Sequence, residues 1–179
     1  MGKLDNSSTY YAKPKHRTYL TMAEENYNYV KYAILHSCMS NHTVVQTALS
    51  AVFYFKYIID TFDVNEESAE ESAEDRTEVL RSSNLATLLH YISNEMEIPI
   101  PIELLSKATS LTSYYFALDE ITTDTFVATK EEVHFCFKNL EVCRKCALSI
   151  IDELEKSTRN NDNKIPDDVI VFEDKEYTL

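Results

Sequence analysis

After its second position the chain contains no glycine: Gly2 is the single one in 179 residues. Average usage of roughly 7% would place about a dozen in a chain of this length. Phosphate-cradling loops, dinucleotide fingerprints and nucleophile elbows each need glycine where the backbone turns sharply or approaches a ligand, so none of them is available here. Tight hairpins of the primed turn types lean on Gly or Asn, which disfavours a many-stranded sheet. The expected fold is all-α, and 44% apolar residues suffice for a buried core.

Periodicity sorts the chain into five or six helices, as one bundle or as two linked subbundles divided near residues 63–75. Residues 1–18 lack any period and read as a disordered, basic arm carrying Lys3, Lys13, Lys15 and Arg17. The string TMAE, Thr21 to Glu24, reads as a capping box. Behind it Ala23, Tyr27, Val30, Ile34 and Cys38 share one stripe. SNHT breaks the pattern, and a second helix from about Val44 to Phe62 is apolar on nearly every face, as a central helix must be. The acidic stretch DVNEESAEESAED reads as a solvated linker or as the first turn of the next helix, whose positive end favours carboxylates. Leu85, Leu88, Leu89, Ile92 and Met96 make a third stripe. EIPIPIE is extended, since each proline pushes the residue before it out of the helical region. Leu104, Ala108, Leu111, Tyr115 and Leu118 make a fourth stripe. TKEE, Thr129 to Glu132, is a second capping box. It opens a heptad-like seam of Val133, Cys136, Leu140, Cys143, Ala147, Ile150 and Leu154. The helical domain is thus expected over 19–159, followed by an acidic tail over 160–179.

A formal net charge of −13 makes duplex nucleic acid and anionic membranes poor partners. No apolar leader is visible at the N-terminus. The apolar run of 44–62 is interrupted by Gln46, Lys56 and Asp60, so it reads as a buried helix and not as a membrane span. The expected compartment is cytoplasmic or nuclear, with reduced thiols.

Chemistry finds little purchase. His134, Cys136, Cys143 and Cys146 are close in sequence, but a zinc site draws ligands from converging elements and these four fall on one helix. They read as packing thiols, with a metal or redox protein built on Cys136, Cys143 and Cys146 as an alternative. Helical ribonucleases of the HEPN family pair Arg and His four to six residues apart; Arg81 and His90 are too widely spaced to match. No enzyme, metal or cofactor is expected. Tyr29 and Tyr32 are candidates for a partner-binding surface, because tyrosine combines apolar area with one polar handle. Ser68 and Ser72, each with an acid three residues on, fit acidophilic kinases.

The tail holds the one apolar run that no helix explains: Val169, Ile170, Val171 and Phe172, between Asp167–Asp168 and Glu173–Asp174. It can strap onto the body, pair with a second copy, or add a strand to a partner's sheet. The segment resembles a SUMO-interacting motif, a short Val/Ile core flanked by acids. That resemblance implies pairing with a sheet edge of the modifier while the acids meet its basic rim. The expected function is a non-enzymatic protein–protein interaction or adaptor module. A regulatory bundle that takes a partner's helix in a groove is a further alternative.

Overall fold

The computed structural model describes residues 18–63, 71–119 and 127–162. Six α-helices run through them: α1 (Tyr19–Leu35), α2 (Asn41–Phe62), α3 (Glu71–Arg81), α4 (Leu85–Asn94), α5 (Ile102–Asp119) and α6 (Lys130–Asp162). Apart from Thr18 and the last turn of α6, the expected basic arm and acidic tail lie outside the described residues.

α2 is the centre, packing against each of the other five helices. Twelve of its 22 residues are buried, which is why its sequence lacks a polar face. The two-subbundle alternative gives way to one bundle. A single cluster of buried side chains joins Ala23 of α1, Phe55 and Ile58 of α2, Leu88 and Leu89 of α4, Leu104 and Leu111 of α5, and Leu140 and Cys143 of α6. The seam on α6 is buried from Val133 through Ile150 and faces this shared core.

Local signals explain most boundaries. Thr129 and Glu132 form the expected capping box: the Thr129 amide donates to Glu132 Oε2 at 2.8 Å and the Glu132 amide to Thr129 Oγ1 at 3.2 Å. Residues 97–101, with both prolines, stay out of any helix up to the start of α5. Three expectations differ. The cap of α1 is Thr18, in extended conformation, whose hydroxyl accepts from the Thr21 amide, so TMAE lies inside the helix and Glu24 is released from capping. SNHT is only a brief break, because Asn41 to Thr43 already form the first turn of α2, where the Ser40 amide donates to Thr43 Oγ1 at 3.0 Å. Cys38, expected on the α1 stripe, lies past the end of that helix and is exposed.

The end of the acidic stretch, from Glu71, opens a helix of its own, α3, while residues 64–70 lie outside the described residues. Ser82–Asn84 separate α3 from α4, with Asn84 Oδ1 accepting from the Ala86 amide as an N-cap. α3 has few apolar residues to bury, and polar contacts help attach it. The Arg76 guanidinium donates to the Asp60 carbonyl at 2.7 Å and approaches Asp63, which also accepts from the Tyr91 hydroxyl at 2.6 Å.

Glycine scarcity leaves a mark on two helix ends. Ser37 (φ 53°) and Glu97 (φ 54°) occupy the left-handed region. At α1, the Cys38 amide reaches the Ala33 carbonyl and the Ser37 amide the Ile34 carbonyl, a Schellman closure that usually employs glycine. A left-handed residue with a Cβ costs about 1–2 kcal/mol. Ser37→Gly is therefore expected to raise stability by about 0.5–1 kcal/mol, a gain partly offset by the freer unfolded chain. Chemical denaturation checks this; a stability loss would show that the Ser37 side chain holds the turn.

Candidate partner-binding surface

The α1–α2 hairpin brings the last three turns of α1 to one end of the bundle, beside the start of α2. Ala23, Val30 and Ala33 bury their side of α1 against the core. That fixes the opposite side outward. Tyr29 is 41% exposed, Tyr32 57% and Leu35 71%, and their spacing of three places them on one helical face. Two imidazoles join them. Tyr29 meets His42 of α2 edge-on with centroids 5.4 Å apart, and Tyr32 stacks on His36 at 3.9 Å. The start of α6 adjoins the same end. The Ala128 amide donates to Asn41 Oδ1 at 2.6 Å, which leaves the neighbouring Val127 77% exposed. Apolar and aromatic surface thus gathers at one end of the bundle, where isolated exposed hydrophobics would need no explanation.

A polar cluster holds α1 in the register that presents this face. Glu24 of α1 accepts from the Tyr54 hydroxyl of α2 at 2.5 Å and from the Arg144 guanidinium of α6 at 3.0 and 3.3 Å. Arg144 also donates through Nε to the Tyr54 hydroxyl at 2.8 Å. The same guanidinium lies over the Tyr27 ring, 4.5 Å from its centroid, and Tyr27 in turn stacks on Phe137. Burial, reinforced by the hydrogen bond to Glu24, pushes the Tyr54 phenol well above its ordinary value, so it stays a donor at neutral pH. Tyr27 is therefore a packing residue, as its place on the stripe implied. Glu24 and Arg144 were not singled out in the sequence, where the only local signal pointed Glu24 to a cap.

Cys136 and Cys143 face the core, whereas His134 and Cys146 do not share that face. Cys136 and Cys143 are buried, Cys146 is half-buried, and His134 is exposed with its Nδ1 2.6 Å from the Lys130 carbonyl oxygen. Among the described residues no three His, Cys, Asp or Glu side chains converge to hold a metal ion. Burial pushes the thiols of Cys136 and Cys143 up to about 12, the Glu132 charge adding to the first and Cys146 to the second. Neither is a thiolate at neutral pH, the form that binds metals and attacks disulfides. Alkylation of native protein at pH 8 is expected to modify Cys38 first and Cys146 slowly, leaving Cys136 and Cys143 intact until denaturant is added. Peptide mass mapping checks this, and rapid modification of Cys143 in the folded protein would contradict the packing assignment.

The remaining candidates divide by position. Val169, Ile170, Val171 and Phe172 lie outside the described residues, as does Ser68, while Ser72 falls in the first turn of α3. Among the described residues no helix is long and apolar enough to cross a membrane. Leu35, His36 and His42 are surface members that residue-by-residue reading missed; the i, i+3 repeat of Tyr29, Tyr32 and Leu35 was the available signal. No protein-family model, no curated protein and no solved structure matches this chain.

Proposed function

We propose that this protein is a non-enzymatic interaction module that offers a partner protein the outward face of α1. The observation that carries the reading is the clustering of Tyr29, Tyr32 and Leu35 on the side of α1 opposite its buried stripe, at the end of the bundle shared with Val127. Aromatic side chains in such positions supply large contact area at little entropic cost and dominate binding energies where they occur. The hydrogen bonds that tie α1 to α2 and α6 through Glu24, Tyr54 and Arg144 favour binding without rearrangement. Val169–Phe172 provides a second contact, a strand added to a partner's sheet edge, with a SUMO-type modifier as the partner its acid-flanked sequence suits. Two weak contacts on one chain reinforce each other through effective concentration. Nucleic acid and membrane remain unsuited to a chain of net charge −13.

The two contacts are tested separately. The bait with Tyr29→Ala and Tyr32→Ala, and a bait lacking residues 166–179, are compared with the parent by quantitative affinity purification. A partner lost from the first and at least about tenfold reduced, with the helical circular dichroism unchanged, supports the helical face. Equal recovery from parent and double variant would sink it. For the tail, a peptide of residues 163–179 is titrated into a purified SUMO-type modifier. Shifts along the modifier's sheet edge that vanish with Ile170→Ala and Val171→Ala support strand addition; their absence refutes it.

A further inference from the structure

We propose that the N-terminal end of α1, together with Lys56 of α2, is a site for a phosphate dianion, carried by Thr18 after phosphorylation or bound from solution. Thr18 is the exposed N-cap of α1, and its hydroxyl accepts from the Thr21 amide at 3.2 Å. The Tyr19 and Leu20 amides, the first two donors of the helix, have no acceptor among the described residues. No acid stands in this first turn, so the positive end of a 17-residue helix is not neutralised there. Lys56 supplies an independent second element. It is 7% exposed, and among the described residues it has neither a hydrogen bond nor an ion pair. Its ammonium lies 6.0 Å from the centroid of the Tyr19 ring, the first residue of the same helix.

The register of the two helices brings these elements together. α1 and α2 run antiparallel, with Ala23 opposite Ser50 and Tyr19 opposite Phe53. Three residues past Phe53 on the same side of α2, Lys56 is level with Thr18, at the end where the unpaired amides point. The acids of the neighbouring turns already hold other cations. Asp60 pairs with Arg76 and Glu24 with Arg144, while on α6 Asp152 pairs with Lys156 and Glu155 with Arg159. Burial alone holds the Lys56 ammonium below the ordinary lysine range, as expected of a cation with no anion beside it. A phosphate at the helix end accepts from the free amides and supplies that missing charge. The net charge of −13 opposes capture of a free anion, so attachment to Thr18 is the favoured source. Lys15, His16 and Arg17 precede Thr18, a basic stretch suited to a kinase with an acidic peptide groove. In that reaction the γ-phosphoryl group of ATP passes to Thr18 Oγ1, the hydroxyl proton goes to the kinase's base, and ADP leaves.

Four full-length proteins test this: unmodified Thr18 and phosphothreonine installed at position 18, each with Lys56 or with Lys56→Met, which keeps an apolar stem in place. With Lys56 present, phosphorylation is expected to raise the melting midpoint by about 2–4 °C, and by less than half of that with Met. The phosphorus resonance is expected to titrate below its ordinary midpoint of about pH 6, and closer to it in the Lys56→Met background. Inorganic phosphate titrated into the two unmodified proteins distinguishes the sources. Displacement of the Tyr19, Leu20 and Thr21 amide signals that requires Lys56, with no Lys56-dependent effect of phosphothreonine, supports the site and assigns it to a free anion. If neither form of phosphate acts through Lys56, the proposal is overturned.

Discussion

Phe55→Ala is expected to destabilise the protein by about 3–5 kcal/mol, the range for an aromatic side chain truncated in a close-packed interior. Phe55 is fully buried at the middle of α2, the helix against which all others pack. No neighbouring helix can close the void without leaving its other contacts, so little relaxation is available to offset the cavity. Phe53, two residues earlier, is only partly buried and stacks on Tyr19. The same substitution there is expected to cost about 1–2 kcal/mol, in proportion to the smaller area removed from water. Urea denaturation of the two variants distinguishes them. Equal losses would mean that α2 is not the centre of the bundle.

The second large effect is expected at Arg144. Its removal deprives Glu24 and Tyr54 of their shared cationic donor and Tyr27 of the charge over its ring. The Glu24 and Arg144 side chains keep roughly a third of their exposure (34% and 31%), so water moderates the loss. Arg144→Ala is expected to cost about 2–3 kcal/mol, summing a charge-assisted hydrogen bond, the ring contact and the lost packing of the aliphatic stem. Glu24→Gln keeps an acceptor for Tyr54 and is expected to cost about 1 kcal/mol. In a double-mutant cycle the pair should show coupling of at least about 0.5 kcal/mol, since both act in one network. Strict additivity would sink the idea that the cluster works as a unit. Because Glu24 is one turn before Tyr27 and Tyr29, the single variants also test whether binding through the outward face depends on the register of α1.

Much of this architecture was legible in the residues because helical burial repeats at short range. The α6 seam from Val133 to Ile150, the apolar α2, the break in helix at the two prolines and the TKEE cap each follow from spacings of a few residues, although Ile102 and Glu103 at the end of EIPIPIE already belong to α5. The TMAE reading failed for an instructive reason. Thr18 could cap as well as Thr21, and Glu24 had stronger partners 30 and 120 residues away in Tyr54 and Arg144. Local rules weigh only local competitors. The break at Ser82–Asn84, with Asn84 as cap, was present in the string but hidden by the acidic run before it.

By itself the sequence determined that the chain would be helical, that α2 would be central, and that glycine-dependent chemistry was unavailable. Those are consequences of composition and of periodicity within a single element. Tertiary structure decided which side of α1 faces outward and what Glu24 and Arg144 bind. These depend on how far each helix runs beside its neighbours, and that is set by side chains distant in sequence settling into one shared core.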